Sequence, residues 1–230
     1  MYRWIDPHEK DDELSFFQAY LKPGDTVIDV GANIGETVLA SSIAVGTNGR
    51  VFAFEPHPKV FGFLQDNLRL NEIRNVQLFN LGLGDTRRTV LFSDDRRDDM
   101  NRVTGDESGL TITLEALDPI LVDCPRIQLL KVDVEGYEMF VLQGGRETML
   151  RSACVYFEVS ESHFEQFGYT TAMLLELIFR SGFQIFRIEH PGLLVSVHRD
   201  FKPEHFENLI ALRDVADFTN RCGWRVHTDE

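Results

Sequence analysis

The chain has 230 residues, 43% of them hydrophobic, which suits one large domain with a substantial core better than two small ones. Its 23 basic and 37 acidic residues give a net charge of −14, which argues against nucleic acid as a partner, since phosphates are bound through Lys and Arg; no run of about 18 uncharged apolar residues marks a membrane span. Cys124, Cys154 and Cys222 are far apart and form no CxxC pair, and Met1-Tyr2-Arg3-Trp4-Ile5-Asp6 is not an apolar leader, so a disulfide scaffold and a zinc site are disfavoured and a reducing cytoplasm is the expected compartment.

Helix and strand signals alternate along the chain. Asp11 to Leu21 reads as an amphipathic helix with Leu14, Phe17 and Leu21 on one face, stopped by Pro23-Gly24. Thr26 to Val30 is a β-branched, apolar run of the kind expected for a strand buried on both faces. Thr37 to Val45 reads as a helix, Val51 to Phe54 as a second buried strand, and Lys59 to Asn71 as a helix with Pro58 at its start. Val76 to Phe79 is a third strand. The stretch from about Thr86 to Leu117 breaks the pattern. It carries Arg96-Arg97-Asp98-Asp99 and Asp106-Glu107-Ser108-Gly109 between strand-like runs at Thr89 to Phe92 and Leu110 to Leu114. It reads as an insertion (86–117) forming a lid at the sheet edge, although a solvated loop fits its charges equally well. Alternation resumes with a strand at Ile127 to Val132, a helix over Tyr137 to Leu150 broken near Gly144-Gly145, and a strand at Val155 to Phe157. A helix at Thr171 to Arg180 and a strand at Phe183 to Ile188 follow; Leu193 to Val197 is placed beside the latter, and Asn208 to Leu212 as the last strand. Strands separated by helices imply an α/β fold with a doubly wound, mostly parallel sheet, which binds ligands at its carboxyl edge.

Three strand ends carry candidate chemistry. In Asp29-Val30-Gly31-Ala32-Asn33-Ile34-Gly35, two glycines four apart follow a buried strand and precede a helix, so the backbone turns tightly and a ligand can approach it. A dinucleotide loop wants glycine at the middle position, where Asn33 stands, and a phosphate loop wants Lys-Ser/Thr where Gly35-Glu36-Thr37 stands. A cofactor without a phosphate at this point fits better. Glu55 closes the second strand and suits the two hydroxyls of an adenosine ribose; as a bland alternative it is an acid before the helix that begins at Pro58. At Lys131-Val132-Asp133-Val134-Glu135, alternation sends three ionisable residues to one side of a buried strand. Such groups are costly unless paired or functional: Lys131 neutralising Asp133 is the structural explanation, and orienting or deprotonating an acceptor hydroxyl the catalytic one.

These blocks resemble the FkbM-type methyltransferases: Val27-Ile28-Asp29-Val30-Gly31-Ala32-Asn33-Ile34-Gly35, Phe54-Glu55-Pro56-His57-Pro58, Asn67-Leu68-Arg69-Leu70-Asn71, and Leu130-Lys131-Val132-Asp133-Val134-Glu135-Gly136. The resemblance runs from about residue 13 to residue 158. It implies a class I methyltransferase fold with seven strands, the last antiparallel, filling a single domain over residues 1–230 behind an N-terminal helical segment (1–24). It implies S-adenosyl-L-methionine as cofactor, S-adenosyl-L-homocysteine as product, and O-methylation of a small-molecule or sugar-containing acceptor. Carried across residue by residue, it implies that Asp29, Gly31, Asn33 and Gly35 face the methionine part of the cofactor and that Glu55, with Pro56 beside it, faces the ribose. It places Asn80 to Asp85, with Gly84 and Asp85, near the adenine; Asp133, at the fourth strand end, is read from its position alone as a carboxylate near the methyl group that could bind the cofactor's ammonium. Tyr137 departs from the small residue usual after the Glu-Gly pair.

Asp133, Glu135, Lys131 and His163 are the catalytic candidates, His163 because it follows the fifth strand at the same edge; His190 ranks below them. No metal is expected, because methyl transfer needs none, although Asp133, Glu135 and Glu158 offer the carboxylates that hard cations favour. An NAD-dependent oxidoreductase and a cofactor-binding assembly subunit are the alternatives, and homo-oligomerisation is left open.

Overall fold

The computed structural model describes residues 12–93, 101–105 and 109–228. In chain order the elements are α1 (Asp12–Tyr20), β1 (Thr26–Val30), α2 (Glu36–Val45), β2 (Arg50–Phe54), α3 (Pro58–Leu70), β3 (Val76–Phe79), β4 (Gly82–Leu83), β5 (Arg88–Phe92), β6 (Val103–Thr104), β7 (Leu110–Glu115), α4 (Leu117–Ile120) and β8 (Ile127–Val132). They continue as α5 (Glu138–Gly144), α6 (Arg146–Leu150), β9 (Ser152–Ser160), α7 (Glu161–Glu165), α8 (Thr171–Arg180), β10 (Gln184–His190), β11 (Leu193–Ser196), β12 (Phe206–Leu212), α9 (Val215–Cys222) and β13 (Arg225–His227). Among the described residues no helix is long and apolar enough to cross a membrane.

The main sheet runs β13-β11-β10-β12-β9-β8-β1-β2-β3. Its β3-β2-β1-β8-β9 half is parallel throughout. β12 is antiparallel to both β9 and β10, so the seven central strands have the expected class I order with one reversed strand. Two features correct the sequence reading. Asn208 to Leu212 is the last and reversed strand of the seven-stranded core, as expected, but not of the chain, because α9 and β13 follow it. β11 and β13 also extend the sheet to nine strands. β11 is the Leu193 to Val197 run placed beside the preceding strand, whereas β13 is a three-residue edge strand, too short for periodicity to separate from a loop.

The strands alternate between two apolar clusters, one on each face. Ile28, Val30, Phe52, Leu130 and Val155 pack under α4 to α8. Val27, Ala53, Leu129 and Tyr156 pack under α1, α2, α3 and α9. α1 is buried more widely than one stripe predicts: Phe16 and Tyr20 are enclosed along with Leu14 and Phe17. Phe16 stacks on Tyr20, Tyr156 and Phe218, with Trp224 edge-on, because α9 closes over the side of α1 that would otherwise meet water.

The 86–117 segment does pair its two strand-like runs. β5 and β7 are antiparallel, and with β4 and β6 they form a second sheet, β4-β7-β5-β6. The Arg96 to Asp99 run and Asp106 to Ser108 lie outside the described residues.

Candidate functional site

Parallel register lines up the strand ends that matter. Val30 is level with Phe54 on one side and Val132 on the other; Phe54 is level with Phe79, and Val132 with Phe157. The chain therefore leaves five strands along one edge. Backbone bonds stitch the exits together: Gly31 N and Ala32 N donate to Phe54 O at 3.1 and 3.0 Å, Asp133 N donates to Val30 O at 3.1 Å, and Glu55 N donates to Phe79 O at 3.1 Å. The reversal of strand order falls between β1 and β8, where an open α/β sheet leaves a crevice.

A cavity of about 780 Å³ opens there, within the range of sites that enclose most of a small ligand. Its floor is the loop from Gly31 to Thr37, with Glu55 and Pro56 from the end of β2 and Leu81 to Leu83 beyond β3. Phe92, Val103, Ile112 and Leu114 of the second sheet form an apolar wall, and Lys131, Asp133 and Glu135 form the polar end. Tyr137 joins that wall to α5: it stacks on Phe140 at 4.5 Å and its hydroxyl accepts from Arg88 of β5. The residue that departs from the motif thus anchors the second sheet.

The expected site residues divide into those that line the cavity and those that support it. Gly31, Asn33, Glu55, Pro56, Lys131, Asp133 and Glu135 line it. Asp29 does not. It is fully buried behind the loop, where Oδ2 accepts from Thr37 Oγ1 at 2.5 Å and Oδ1 lies 3.7 Å from Lys131 Nζ. Burial pushes its carboxyl above the usual range, against the pull of Lys131 and Thr37. Gly35 does not line it either: with φ +98° it turns the chain into α2, and a Cβ there would lie 2.5 Å from Leu64 Cδ1. Gly84 and Asp85 do not line the cavity either. The chain turns away after β4, so Leu81, Gly82 and Leu83 line the cavity instead. Gly84 O sits where a Cβ on Gly144 would be, 1.9 Å away, and Asp85 pairs with Arg88 at 2.9 Å. Asn80 ties the ends of β2 and β3 together, donating to Glu55 O and Pro56 O at 2.9 and 3.1 Å.

Asn33 adopts φ +47°, a left-handed conformation that Asn tolerates better than most side chains. Its N–H donates to Glu55 Oε2 at 3.0 Å, while Glu55 Oε1 accepts from His57 N at 2.8 Å. Glu55 is thus both a cavity carboxylate and the brace between two loops. Burial pushes its carboxyl up to about 7, against the two backbone donors.

Lys131 Nζ lies 3.1 Å from Asp133 Oδ2, and both line the cavity. Burial opposes the charge of Lys131, but the carboxylates of Asp133 and Asp29 outweigh it and hold the ammonium above its usual range. The expected alternation ends at Val132; Glu135 reaches the same cavity through a turn in which its own φ is +54°. His163 stands behind it, with Nδ1 3.4 Å from Glu135 Oε2, and does not line the cavity. His190 is exposed on β10, with Nδ1 3.0 Å from Pro191 O, away from the site.

Sequence reasoning passed over Glu138. It is fully buried, and its Oε1 accepts from Val134 N at 3.0 Å and Gly136 N at 3.3 Å, fixing the turn that presents Glu135. Its i,i+4 spacing from Val134 was visible, but not the direction of its side chain. Removing the carboxylate leaves two enclosed N–H groups without acceptors, so Glu138→Ala is expected to cost about 2–4 kcal/mol in urea unfolding; an unchanged midpoint refutes the brace.

Comparison with known proteins agrees with this geometry. The family model described as "Methyltransferase FkbM domain" matches residues 29–185. "Methyltransferase 1" of Beauveria bassiana is 29% identical over 148 residues, covering 53% of this chain and 59% of its own length. "Hexuronic acid methyltransferase AglP" of Haloferax volcanii is 29% identical over 148 residues, covering 63% of this chain. The chain spans 59% of the length of each of these relatives. Among solved structures, a methyltransferase FkbM from Methylobacillus flagellatus shares the fold with TM-score 0.53 and 18% identity over 86% of this chain and 50% of its own. A methyltransferase fold from Streptococcus mutans, solved with S-adenosylhomocysteine, aligns with TM-score 0.50 and 11% identity over 86% of this chain and 94% of its own.

Proposed function

Because the chain belongs to the FkbM methyltransferase domain family, an S-adenosylmethionine-dependent family, we propose that it moves the cofactor's methyl group to a hydroxyl oxygen of a sugar-like or other small acceptor at the Asp133 end of the cavity. The observation that carries this reading is the Asp133 carboxylate, which lines the cavity, is held by Lys131 at 3.1 Å and lies at the same sheet edge as the Gly31 loop and Glu135. The cofactor fits the donor set. Glu55 offers a carboxylate for ribose hydroxyls, Leu81 to Leu83 and Ile112 offer apolar surface for the adenine, and Asn33 and Asp133 flank the place for the amino acid end.

When bound, S-adenosylmethionine supplies an already activated methyl group on a sulfonium, so displacement needs little beyond alignment and proton removal. Asp133 accepts a hydrogen bond from the acceptor hydroxyl and takes its proton as the new carbon–oxygen bond forms. Lys131 fixes the direction of Asp133 and is too firmly protonated to compete for that proton. Phe92, Val103, Ile112 and Leu114 of the second sheet would give the adenosyl group an apolar wall. The name of the Haloferax relative supports a sugar-type acceptor.

The test is transfer of labelled methyl from S-adenosylmethionine to a panel of hydroxyl acceptors, uronic acid glycosides included. Asp133→Asn is expected to lower kcat by about 10²–10⁴-fold, far more than it weakens S-adenosylhomocysteine binding. An Asp133→Asn enzyme as fast as the parent overturns the assignment of the base. Labelled nitrogen or carbon in the product overturns the O-methyl reading.

A further inference from the structure

Behind the cavity's polar end, Glu135, Glu158 and His163 each bring one ligand atom into a cluster in which all three atoms lie within 4.8 Å of one another. They come from the turn after β8, from β9, and from α7. His163 Nδ1 is screened from solvent and makes no hydrogen bond, although it lies 3.4 Å from Glu135 Oε2 and 4.0 Å from Glu158 Oε2. The backbone of the Glu135 turn packs directly on His163: a Cβ on Gly136 would fall 2.9 Å from His163 Cβ. Two acidic side chains and an imidazole nitrogen that bonds to neither converge on one point.

Further carboxylates crowd this cluster: Asp133 and Glu138 also act on Glu158, against the attraction of Lys131, which pairs with Asp133 and Asp29, while Arg102 acts on His163. Like charges crowded in a partly enclosed site are relieved either by protons or by a cation.

We propose that Glu135, Glu158 and His163 bind a divalent first-row transition-metal ion, and that two neighbouring oxygens of the acceptor complete its coordination. The sequence reading expected no metal and grouped Asp133 with the two glutamates; the fold replaces Asp133, committed to Lys131, with His163. One nitrogen and two carboxylate donors suit Mn²⁺, Fe²⁺ or Zn²⁺, because the imidazole favours these over Ca²⁺ or Mg²⁺. Two carboxylates balance the ion's charge. Three protein ligands leave open positions, as catalytic metal sites do. Of the three, Glu135 lines the cavity, so the acceptor would reach the ion from the Glu135 side. The favoured acceptors are then those with paired oxygens, a vicinal diol or a hydroxy acid. This part rests on the proposed acceptor-methylating function; the metal site itself does not.

The experiment is Mn²⁺ titration of the chelator-stripped full chain, with free Mn²⁺ followed by electron paramagnetic resonance and S-adenosylhomocysteine affinity measured in the same samples by calorimetry. The expected result is one saturable site per chain, weakened at least about tenfold in both Glu158→Gln and His163→Gln, with cofactor-product affinity within threefold of the parent. His163→Ala is a harsher third variant, and melting curves identify any variant that fails to fold; the near-isosteric Gln variants carry the test in that case. No saturable Mn²⁺ binding, or binding that the Gln variants leave unchanged, overturns the proposal. Loss of S-adenosylhomocysteine binding with Mn²⁺ binding intact counts against the cofactor site and leaves the metal site standing.

Discussion

Glu55→Ala is expected to weaken S-adenosylhomocysteine binding by at least 100-fold, about 3 kcal/mol. A ribose presents two hydroxyl donors, and the Glu55 carboxylate is the acidic group at the end of β2. Truncation also strips the acceptor from Asn33 N and His57 N, so the Gly31 loop and the start of α3 lose their common brace. Glu55→Gln separates the two effects, because it keeps one acceptor oxygen and the side-chain volume.

The pH dependence follows from the carboxyl's position near 7. Hydroxyl donors favour the ionised form, so binding displaces the proton, and affinity rises with pH up to about 7 and levels off above it. Unliganded stability runs the other way. A folded-state value above the ordinary 4.5 means that ionisation is costly, so the contribution of Glu55 is fully present below about 4.5 and is lost as pH rises to about 7, on the order of 3 kcal/mol. Calorimetry between pH 5.5 and 8 checks both signs. A flat affinity profile for the parent, or Kd in Glu55→Ala within threefold of the parent, sinks the ribose assignment.

Gly31→Ala is expected to be the most destabilising single methyl in the site. An alanine Cβ falls 1.8 Å from the carbonyl oxygen of Asp133, and φ is +83°. Both groups are backbone, so neither can rotate away; the ends of β1 and β8 must separate. Strain and overpacking together exceed about 4 kcal/mol, roughly 10–15 °C in Tm for a domain of this size. Gly62→Ala is the control: nothing lies within 4 Å of its added Cβ, and it sits inside α3, where alanine favours the helix by up to about 1 kcal/mol. Equal melting temperatures for the two variants refute the steric account.

This glycine also shows how far a sequence can be read. Its place in the loop was legible, but the reason for it was not. The motif suggested room for a ligand, whereas the nearest obstacle is the chain's own Asp133 carbonyl, 102 residues later. Asp29 is a similar case. The motif implies contact with cofactor, yet its side chain turns inward to Thr37 and Lys131. Gly84 and Asp85 lie outside the cavity lining for a third reason, since the strand that passes the cavity is two residues long and leaves before reaching them.

The sequence by itself determined the parallel core, because apolar runs of five or six residues between amphipathic helices have few other ways to bury both faces. It also determined which strand ends carry chemistry, since charged residues at the ends of such runs conflict with burial and so stand out. Tertiary structure alone decided which of those charges meet. Register brings Glu55 to Asn33, Lys131 to both Asp29 and Asp133, and Glu158 and His163 to Glu135. These pairings join residues up to 102 positions apart, and local periodicity holds no information about them, because it describes which face a side chain takes and not which neighbour that face will find.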